Sequence, residues 1–323
     1  MKQLGTSQTF KFSRQKLVGG LTVPLLILLL APTSSVGSPE GVPRESFAAA
    51  TYGSRATLPQ LTASSAGVWL DPEGKPLPFT SDEEVMEFLR TARLIRFRGI
   101  PLGVNLPRRA LLEKDGVRMH AIFRDVNMDK PLQKLASGTV VINFRDSYIF
   151  EPAAYELSRL LGLDNVPPVI LREIRGKSGS LQAWVENAMT ETRKIRDNVT
   201  PPDQVFWSRQ IHIMRIFDNL IYNTDRNHGN IVIDRNWKVW LIDHTRAFRR
   251  EKELRNPEMV IQYDRKLWEK LKALDKKAVR KRLKKFLRPP EIKGLLWRRD
   301  KLVRHIQSLI DKSGDYKVLF TLD

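Results

Sequence analysis

Two carboxylates and an amide near the middle of the chain have the types and the spacing that phosphoryl transfer requires. Asp225 and Asn230 stand at the ends of the sequence Asp-Arg-Asn-His-Gly-Asn, and Asp243 follows two short apolar runs. This chemistry needs a carboxylate at the acceptor hydroxyl and oxygen ligands for the metal ions that bridge the phosphates, and a loop written Asp-x-x-x-x-Asn supplies the carboxylate and one ligand. The spacing predicts that Asp225 positions or deprotonates the acceptor and that Asn230 binds a metal ion.

A predicted hairpin joins Asn230 to Asp243. Residues 231–233 and 237–242 are mostly β-branched or aromatic, and the polar residues 234–236 lie between them. This pattern is typical of two strands joined by a tight turn. Because such a hairpin returns the chain to its starting edge, we expect Asp243 beside Asn230 as the second metal ligand. A turn and a strand-terminal Asp are also common structural features, but their joint spacing favours a site.

The loop and the sequence Leu-Ile-Asp-His-Thr-Arg-Ala-Phe at 241–248 resemble atypical kinases. In particular, they resemble the secretory-pathway casein kinase family and the type II phosphatidylinositol 4-kinases, with a HipA-like catalytic loop. It implies transfer of the γ-phosphoryl group of ATP or another nucleoside triphosphate, with Mg²⁺ or Mn²⁺ bound by Asn230 and Asp243. Asp243 is followed by His-Thr rather than Phe-Gly, and no His-Arg precedes Asp225. An ordinary Ser/Thr or Tyr kinase is therefore not predicted.

A hairpin and a helix nearer the N-terminus are predicted to supply a phosphate-orienting ion pair. Alternating apolar residues flank Lys-Asp-Gly at 114–116, and Asp-Gly favours a tight turn because it tolerates positive φ. The second strand ends at Arg124, where the resemblance places the phosphate-contacting Lys of kinases. A helix expected over about 147–161 carries Glu151 in its first turns. The resemblance matches Glu151 to the glutamate that pairs with this cation, with Glu156 as the alternative.

A second hairpin is predicted from strands at 166–174 and 181–186. Its turn is expected over Gly176 and Gly179. The resemblance places the nucleotide base along the returning strand, where the candidate contacts are Gln182, Trp184, Val185 and Glu186. No Gly-x-Gly-x-x-Gly sequence is present, and Gly99 and Gly103 match a phosphate-binding loop only loosely.

These elements predict an α+β protein with a two-lobed, protein-kinase-like fold. We expect a small N-lobe with an antiparallel sheet and one helix over 67–186, and a larger, mostly helical C-lobe over 187–323. Residues 1–37 contain four basic and no acidic residues around an apolar run that ends in small residues. That layout predicts a signal peptide, or an uncleaved anchor. The segment 38–66 is rich in Ser, Ala, Thr, Pro and Gly and is predicted to be a flexible linker.

The charge is strongly positive and concentrated toward the C-terminus. The formal net charge is +19, and residues 249–304 hold 21 basic and 8 acidic residues. The absence of cysteine excludes a disulfide scaffold and a Cys-based zinc site. Basic residues at 276–288 surround an apolar face of Val279, Leu283, Phe286 and Leu287. This predicts either an amphipathic helix that binds an anionic membrane surface or the solvated face of a C-lobe helix.

The resulting prediction is an exported kinase that acts outside the cytosol, in a secreted, periplasmic or secretory-pathway location. Its partners would be a nucleotide and an acceptor, with a protein acceptor favoured over a lipid or a sugar. Arg124 in place of Lys and the poor glycine loop support a second hypothesis, a pseudokinase that serves as an exported binding or scaffold protein. A third hypothesis is a basic lipid or nucleic-acid binder on a kinase-like frame, with nucleic acid the less favoured partner.

Overall fold

The computed structural model describes residues 69–100, 107–135 and 137–322. The predicted signal segment 1–37, the linker 38–66 and Gly103 lie outside the described residues. The helices are α1 (Asp82–Thr91), α2 (Phe150–Leu160), α3 (Glu191–Arg196), α4 (Gln204–Ile221), α5 (Arg265–Ala273), α6 (Lys276–Leu283), α7 (Pro289–Ser313) and α8 (Asp315–Val318). The strands are β1 (Arg93–Gly99), β2 (Arg108–Lys114), β3 (Val117–Arg124), β4 (Asn127–Lys134), β5 (Val140–Ser147), β6 (Val169–Ile174), β7 (Lys177–Ala183), β8 (Met189–Thr190), β9 (Ile231–Ile233), β10 (Val239–Leu241), β11 (Tyr263–Asp264) and β12 (Leu319–Phe320).

An antiparallel sheet forms the first layer, in the strand order β1-β2-β3-β7-β6. The predicted Asp-Gly hairpin is confirmed, since Asp115 and Gly116 both have positive φ and join β2 to β3. Met119, Ala121 and Phe123 belong to the hydrophobic core on one face of β3. The intervening residues of β3 therefore lie on the opposite face, because successive strand residues alternate.

Helix α1 covers the core face of the sheet. The helix begins with a capping box: the Ser81 side chain accepts from the backbone of Glu84, and the Glu84 side chain accepts from the backbone of Ser81. Capping of this kind satisfies amide groups that have no partner within the helix. Val85, Phe88 and Leu89 are buried against the same cluster as the apolar residues of β2 and β3.

Strand β5 does not join this sheet. It pairs with the unpredicted strand β4 in a separate two-stranded hairpin. Strand β4 is polar and contains Pro131, so it lacks the alternation that identifies a half-buried strand. Strand β1 was also not predicted, because its three arginines and one glycine interrupt its apolar residues.

The second hairpin turns earlier than the sequence suggested. Arg175 and Gly176 have positive φ and form the turn, so Gly179 lies within β7 rather than in the turn. A Cβ atom at Gly179 would lie 2.4 Å from the Arg124 carbonyl oxygen and 2.5 Å from the Phe123 ring. Glycine is therefore required here by the close approach of β7 to the end of β3.

A second hydrophobic cluster unites the helices. It contains buried residues of α2, α4, α5, α6 and α7, together with β9 and β10. The predicted hairpin after the Asp-x-x-x-x-Asn loop is confirmed as β9 and β10, with Ile231 opposite Leu241. Helix α2 begins at Phe150, slightly later than expected, and packs mainly into this cluster. The domain boundary near residue 186 therefore stays a prediction.

The C-terminal helices close the far side of the second cluster. Helix α6 buries Val279 and Leu283 as predicted, but it ends at Leu283, so Phe286 and Leu287 pack from the turn that follows it. Arg298 of α7 is fully buried and donates hydrogen bonds to the carbonyl oxygens of Leu220 and Arg249 at 2.8 and 2.9 Å. Among the described residues, no helix is both long and apolar enough to cross a membrane.

Candidate active site

The loop that carries Asp225 is fixed to the end of α4 by side-chain hydrogen bonds. Tyr222 ends α4 in the left-handed conformation, which turns the chain out of the helix. Asn223 then donates from Nδ2 to Asp218 Oδ1 at 3.1 Å and accepts from the Asp225 amide at 3.1 Å. Asn223 is almost fully buried. The backbone at Asp225 is thus positioned before any ligand binds.

Arg226 connects three parts of the site. Its Nε and Nη2 atoms donate to the two carboxylate oxygens of Asp218 at 2.9 and 3.1 Å. Its Nη1 atom donates to the carbonyl oxygens of Asn230 at 2.6 Å and Ile242 at 2.8 Å. Forked contacts of this kind restrict the guanidinium group geometrically as well as energetically. Arg226 therefore holds the residue that precedes Asp243 next to the Asp225–Asn230 loop.

Asn230 closes the loop on itself. A short 3₁₀ turn, His228–Asn230, follows Asn227, whose side chain accepts from the Gly229 amide at 2.8 Å. The Asn230 side chain donates from Nδ2 to the Asp225 carbonyl oxygen at 2.9 Å. This bond uses the nitrogen of the amide and orients its oxygen away from the loop backbone.

Asp243 emerges at the end of the hairpin, as predicted. The amide of Ile242, the residue before it, donates to the Asn230 carbonyl oxygen at 3.4 Å. Asp243 has a φ of 57°, an uncommon conformation for a residue other than glycine that often marks functional positions. Its side chain accepts from Thr245 Oγ1 at 3.1 Å. Desolvation raises the pKa of the Asp243 carboxyl, and the nearby Arg124 offsets only part of that effect.

Arg124 is buried between two carboxylates. Its Nε atom lies 3.6 Å from Glu151 Oε1 and 3.7 Å from Asp243 Oδ1, and the Arg124 side chain is 4% exposed. Its Nη1 atom donates to Gln182 Oε1 at 3.4 Å. The structure thus brings the predicted cation, its helix partner and the predicted metal ligand together.

Glu151 has a second partner, His244. The His244 backbone amide donates to Glu151 Oε1 at 2.9 Å, and His244 Nδ1 lies 3.1 Å from Glu151 Oε2. Burial would raise the pKa of Glu151, but Arg124 and His244 together hold the pKa below its usual range. The alternative residue, Glu156, lies elsewhere and pairs with Arg282 and Lys285. Glu151 is therefore the glutamate that contacts Arg124.

The chemistry of the donor set fits a hard divalent cation. Asn230 and Asp243 offer an amide oxygen and a carboxylate, which are the ligands that Mg²⁺ and Mn²⁺ prefer. In the described part of the chain, no group of three or more His, Cys, Asp or Glu side chains could by itself hold a metal ion. Mg²⁺ is commonly held by one or two carboxylates together with substrate phosphates. The residues present therefore fit an ion that binds together with a nucleotide.

The four candidate contacts for the base occupy different environments. Gln182 is fully buried and hydrogen-bonds Arg124 and the Pro167 carbonyl oxygen. Trp184 lies under the guanidinium group of Arg109, 5.6 Å from its carbon. Val185 packs against the hydrophobic core of the sheet, so a contact at this position would come from its backbone. Glu186 pairs with His120 at 2.6 Å.

Sequence reasoning missed Arg246. Its Nε atom donates to Asp146 Oδ2 at 2.8 Å, and its Nη1 atom lies 3.4 Å from Asp225 Oδ2. The Arg246 carbonyl oxygen also accepts from Thr224 Oγ1 at 3.0 Å. Arg246 thus places a cation beside Asp225. Only its position three residues after Asp243 could have drawn attention to it.

A cavity of about 340 Å³ opens beside Asp225. Ten of the twelve residues that line it are polar, among them Arg215, Asn227 and Arg255, and the other two are Met214 and Met259. Asp225 is one of the residues that line the cavity. The cavity is therefore the candidate binding site for a group that Asp225 would contact.

Comparison with known proteins gives one sequence relative of moderate extent. No protein-family model matches the chain. The Mycobacterium tuberculosis protein Rv2133c is 25% identical over an alignment of 165 residues, and the match covers 42% of this chain and 57% of that protein. The chain thus spans little more than half the length of this curated relative.

Solved structures resemble the fold of this protein over a larger part of the chain. The structure of hydra Fam20 with sugar has a TM-score of 0.54 at 14% identity, and the match covers 74% of this chain and 92% of that one. A Golgi casein kinase has the same TM-score and identity and covers 74% and 77%. The chain has an atypical kinase fold. The Golgi casein kinase with bound Mn/ADP also matches this atypical kinase fold, with a TM-score of 0.52. Identities this low establish the fold alone.

Proposed function

We propose that the protein is a phosphotransferase that moves the γ-phosphoryl group of a nucleoside triphosphate, ATP in the first instance, to an acceptor hydroxyl. The observation that carries this proposal is the buried Arg124, which lies within 3.7 Å of both Glu151 and Asp243. An arginine held in this way presents a fixed cation beside the candidate metal ligands. Preorganised charge is the main way in which proteins accelerate phosphoryl transfer.

Each residue has a distinct proposed role. Asn230 and Asp243 would hold Mg²⁺ or Mn²⁺, which neutralises the phosphates when bound. Asp225 accepts the proton of the acceptor hydroxyl as the acceptor oxygen bonds to the γ-phosphorus, and the bond to the bridging oxygen breaks to release the nucleoside diphosphate. Arg124, held by Glu151, orients the phosphates. The base is proposed to lie along Gln182, Trp184 and the backbone of Val185 and Glu186.

We propose that the acceptor is a protein side chain and that the reaction takes place outside the cytosol. The cavity beside Asp225 supports a polar acceptor, because four amides and three arginines are among the twelve residues that line it. The composition of residues 1–37 supports export, and a Golgi casein kinase shares the fold. A protein hydroxyl is favoured over a lipid because only two of the twelve described residues that line the cavity, both methionines, are apolar in type.

A pseudokinase is the second candidate, and one observation favours it. The Arg124 side chain is only 4% exposed, so little of its guanidinium group is open to a phosphate unless the surrounding residues move. Arg and Lys are not interchangeable at such a position, because their charge distributions and reach differ. A scaffold of this kind would bind a nucleotide or a protein without turnover.

Two substitutions test the proposed division of roles. Asp243→Ala should abolish metal-dependent nucleotide binding and turnover together, because it removes a metal ligand. Asp225→Ala should leave nucleotide affinity within a few-fold while turnover falls by about 10² or more, the usual scale for a lost acid-base group. The measurements are thermal-shift titration with ATP and Mn²⁺ and transfer from γ-labelled ATP. Asp311→Ala, at an exposed carboxylate of α7, is the matched control.

Assays of the wild-type protein with γ-labelled and α-labelled ATP distinguish a kinase, a nucleotidyl transferase and a pseudokinase. Label transferred from γ-labelled but not from α-labelled ATP supports the kinase, whereas transfer from α-labelled ATP indicates a nucleotidyl transferase. Nucleotide binding without any transfer by the wild-type protein would support the pseudokinase. Equal loss of nucleotide affinity in Asp225→Ala and Asp243→Ala would contradict the separate roles.

A further inference from the structure

Three arginines share the sheet face that overlooks the candidate site. Arg98 is directly opposite Arg109 in the pairing of β1 with β2, and Arg109 is directly opposite Ile122 in the pairing of β2 with β3. Residues opposite one another project from the same face of a sheet. Arg124 lies two residues beyond Ile122, so all of these side chains share the face that leads to Glu151 and Asp243. Arg96 lies on the same face, two residues before Arg98.

The arginine side chains converge on one place. Arg96, Arg98, Arg109, Leu111 and His120 line a shallow depression of about 30 Å³. We call the three arginines Arg96, Arg98 and Arg109 the roof cluster. Each of these three arginines is exposed.

The charge of the roof cluster is not neutralised by nearby carboxylates. Within the described ranges, no acidic side chain forms an ion pair with any of the three arginines. Carboxylates that contact this face pair with its other residues: Glu113 with Arg93, Glu73 with Arg118, and Glu186 with His120. Like charges directly opposite in a sheet are destabilising. The Arg98–Arg109 pair therefore has a cost to folding that an anionic ligand would remove.

We propose that the roof cluster binds the polyphosphate chain of the nucleotide, a role that rests on the proposed nucleotide cleft. Guanidinium groups make forked, charge-assisted hydrogen bonds to phosphate oxygens. Such contacts would supply the phosphate interactions that backbone amides provide in a glycine-rich loop, for which this sequence has no Gly-x-Gly-x-x-Gly pattern. Arg109, stacked on Trp184 at 5.6 Å, would join the phosphate side of the cleft to the base side. Affinity should consequently rise with the number of phosphates.

The test uses inorganic tripolyphosphate without divalent cations, so that neither the base nor the metal ligands contribute. Tripolyphosphate should bind the wild-type protein and orthophosphate should bind far more weakly, as measured by calorimetry. The triple variant Arg96→Gln, Arg98→Gln, Arg109→Gln should lose affinity by about tenfold or more, since each charged hydrogen bond contributes at least about a factor of ten. Arg93→Gln, on the same strand but paired with Glu113, should bind like the wild type.

Further measurements test phosphate binding by the roof cluster independently of the proposed kinase activity. Removing like charges from exposed positions should leave the ligand-free melting temperature unchanged or higher, which checks folding of the triple variant. Equal tripolyphosphate affinity of the wild type and the triple variant would overturn the proposal, even if γ-phosphoryl transfer is observed. Conversely, loss of affinity in the triple variant would support it even if the wild type transfers no phosphate.

Discussion

Arg124 shows how single residues set the geometry of the cleft. It is held by side chains from three elements, Glu151 of α2, Gln182 of β7 and Asp243 after β10. Its backbone is constrained as well, because Gly179 of β7 lies directly against the Arg124 carbonyl oxygen. The position of the Arg124 guanidinium group thus depends on the small size of Gly179.

Gly179→Ala should disturb both stability and nucleotide binding. The added Cβ atom would lie 2.4 Å from the Arg124 carbonyl oxygen, so β3 must shift, and overpacking of this kind typically costs about 1–3 kcal/mol. Urea unfolding and thermal-shift titration with ATP and Mn²⁺ measure the two effects. Gly99→Ala is the control for the urea measurement, because its Cβ atom would meet nothing within 4 Å. Equal stability of the two variants would show that β3 and β7 adapt without cost.

At the scale of elements, packing divides the basic helix α6 into two faces. Val279 and Leu283 are buried, and Arg282 and Lys285 pair with Glu156 of α2. Between residues 276 and 285, the exposed cations that form no ion pair with another described residue are Lys276, Lys277, Arg280, Lys281 and Lys284. A membrane contact of α6 stays a prediction. It would use these five unpaired cations, since Arg282 and Lys285 are engaged within the protein.

The five unpaired cations of residues 276–284 should bind anionic vesicles in a salt-sensitive manner. Each basic residue near an anionic surface contributes about 1 kcal/mol, and the attraction is screened within about 8 Å at physiological ionic strength. Co-sedimentation with phosphatidylserine vesicles should decrease strongly when Lys277, Lys281 and Lys284 are replaced by Glu. The control is the same charge reversal at the exposed residues Lys130, Lys134 and Lys312. If both triple variants bind equally, net charge and not α6 explains the attraction.

At the scale of the whole molecule, α7 ties the segment after the site to the helical cluster. Arg298 donates to the carbonyl oxygens of Leu220 and Arg249, and a Cβ atom at Gly294 would lie 3.0 Å from the Arg249 carbonyl oxygen. Arg145 of β5 also contacts Glu291 of α7. The separate hairpin β4–β5 is thereby connected to the C-terminal helices. The candidate site is supported from both clusters.

The proposed export of the whole molecule makes a direct prediction. The apolar run within residues 1–37 ends in Ser-Val-Gly at 35–37, so the mature chain should begin near Ser38. N-terminal sequencing of the protein recovered from the extracytoplasmic fraction checks this, with the total cell lysate as the control for the uncleaved precursor. Intact Met1 on the exported protein would show that the segment remains as an anchor, whereas recovery only in the cytosol would contradict export.

Much of the fold could be predicted because its signals are local. The Asp115-Gly116 turn, the Ser81–Glu84 capping box and the β9–β10 hairpin each depend on residues within a few positions of one another. Strands without an apolar pattern could not be found in this way. Strands β1 and β4 are polar, and only pairing with their neighbours identifies them as strands.

For the site, the sequence by itself determined which groups are present and how Asp225, Asn230 and Asp243 are spaced, because one loop and one hairpin contain all three. The tertiary structure alone decided which distant groups meet them. Arg124 contacts Glu151 and not Glu156, Arg226 reaches the Ile242 carbonyl oxygen, and Arg246 bridges Asp146 and Asp225. These contacts join residues separated by 16 to 100 positions, beyond the range of periodicity and turn chemistry. Their geometry arises from the packing of β3, α2 and the β9–β10 hairpin around one cleft.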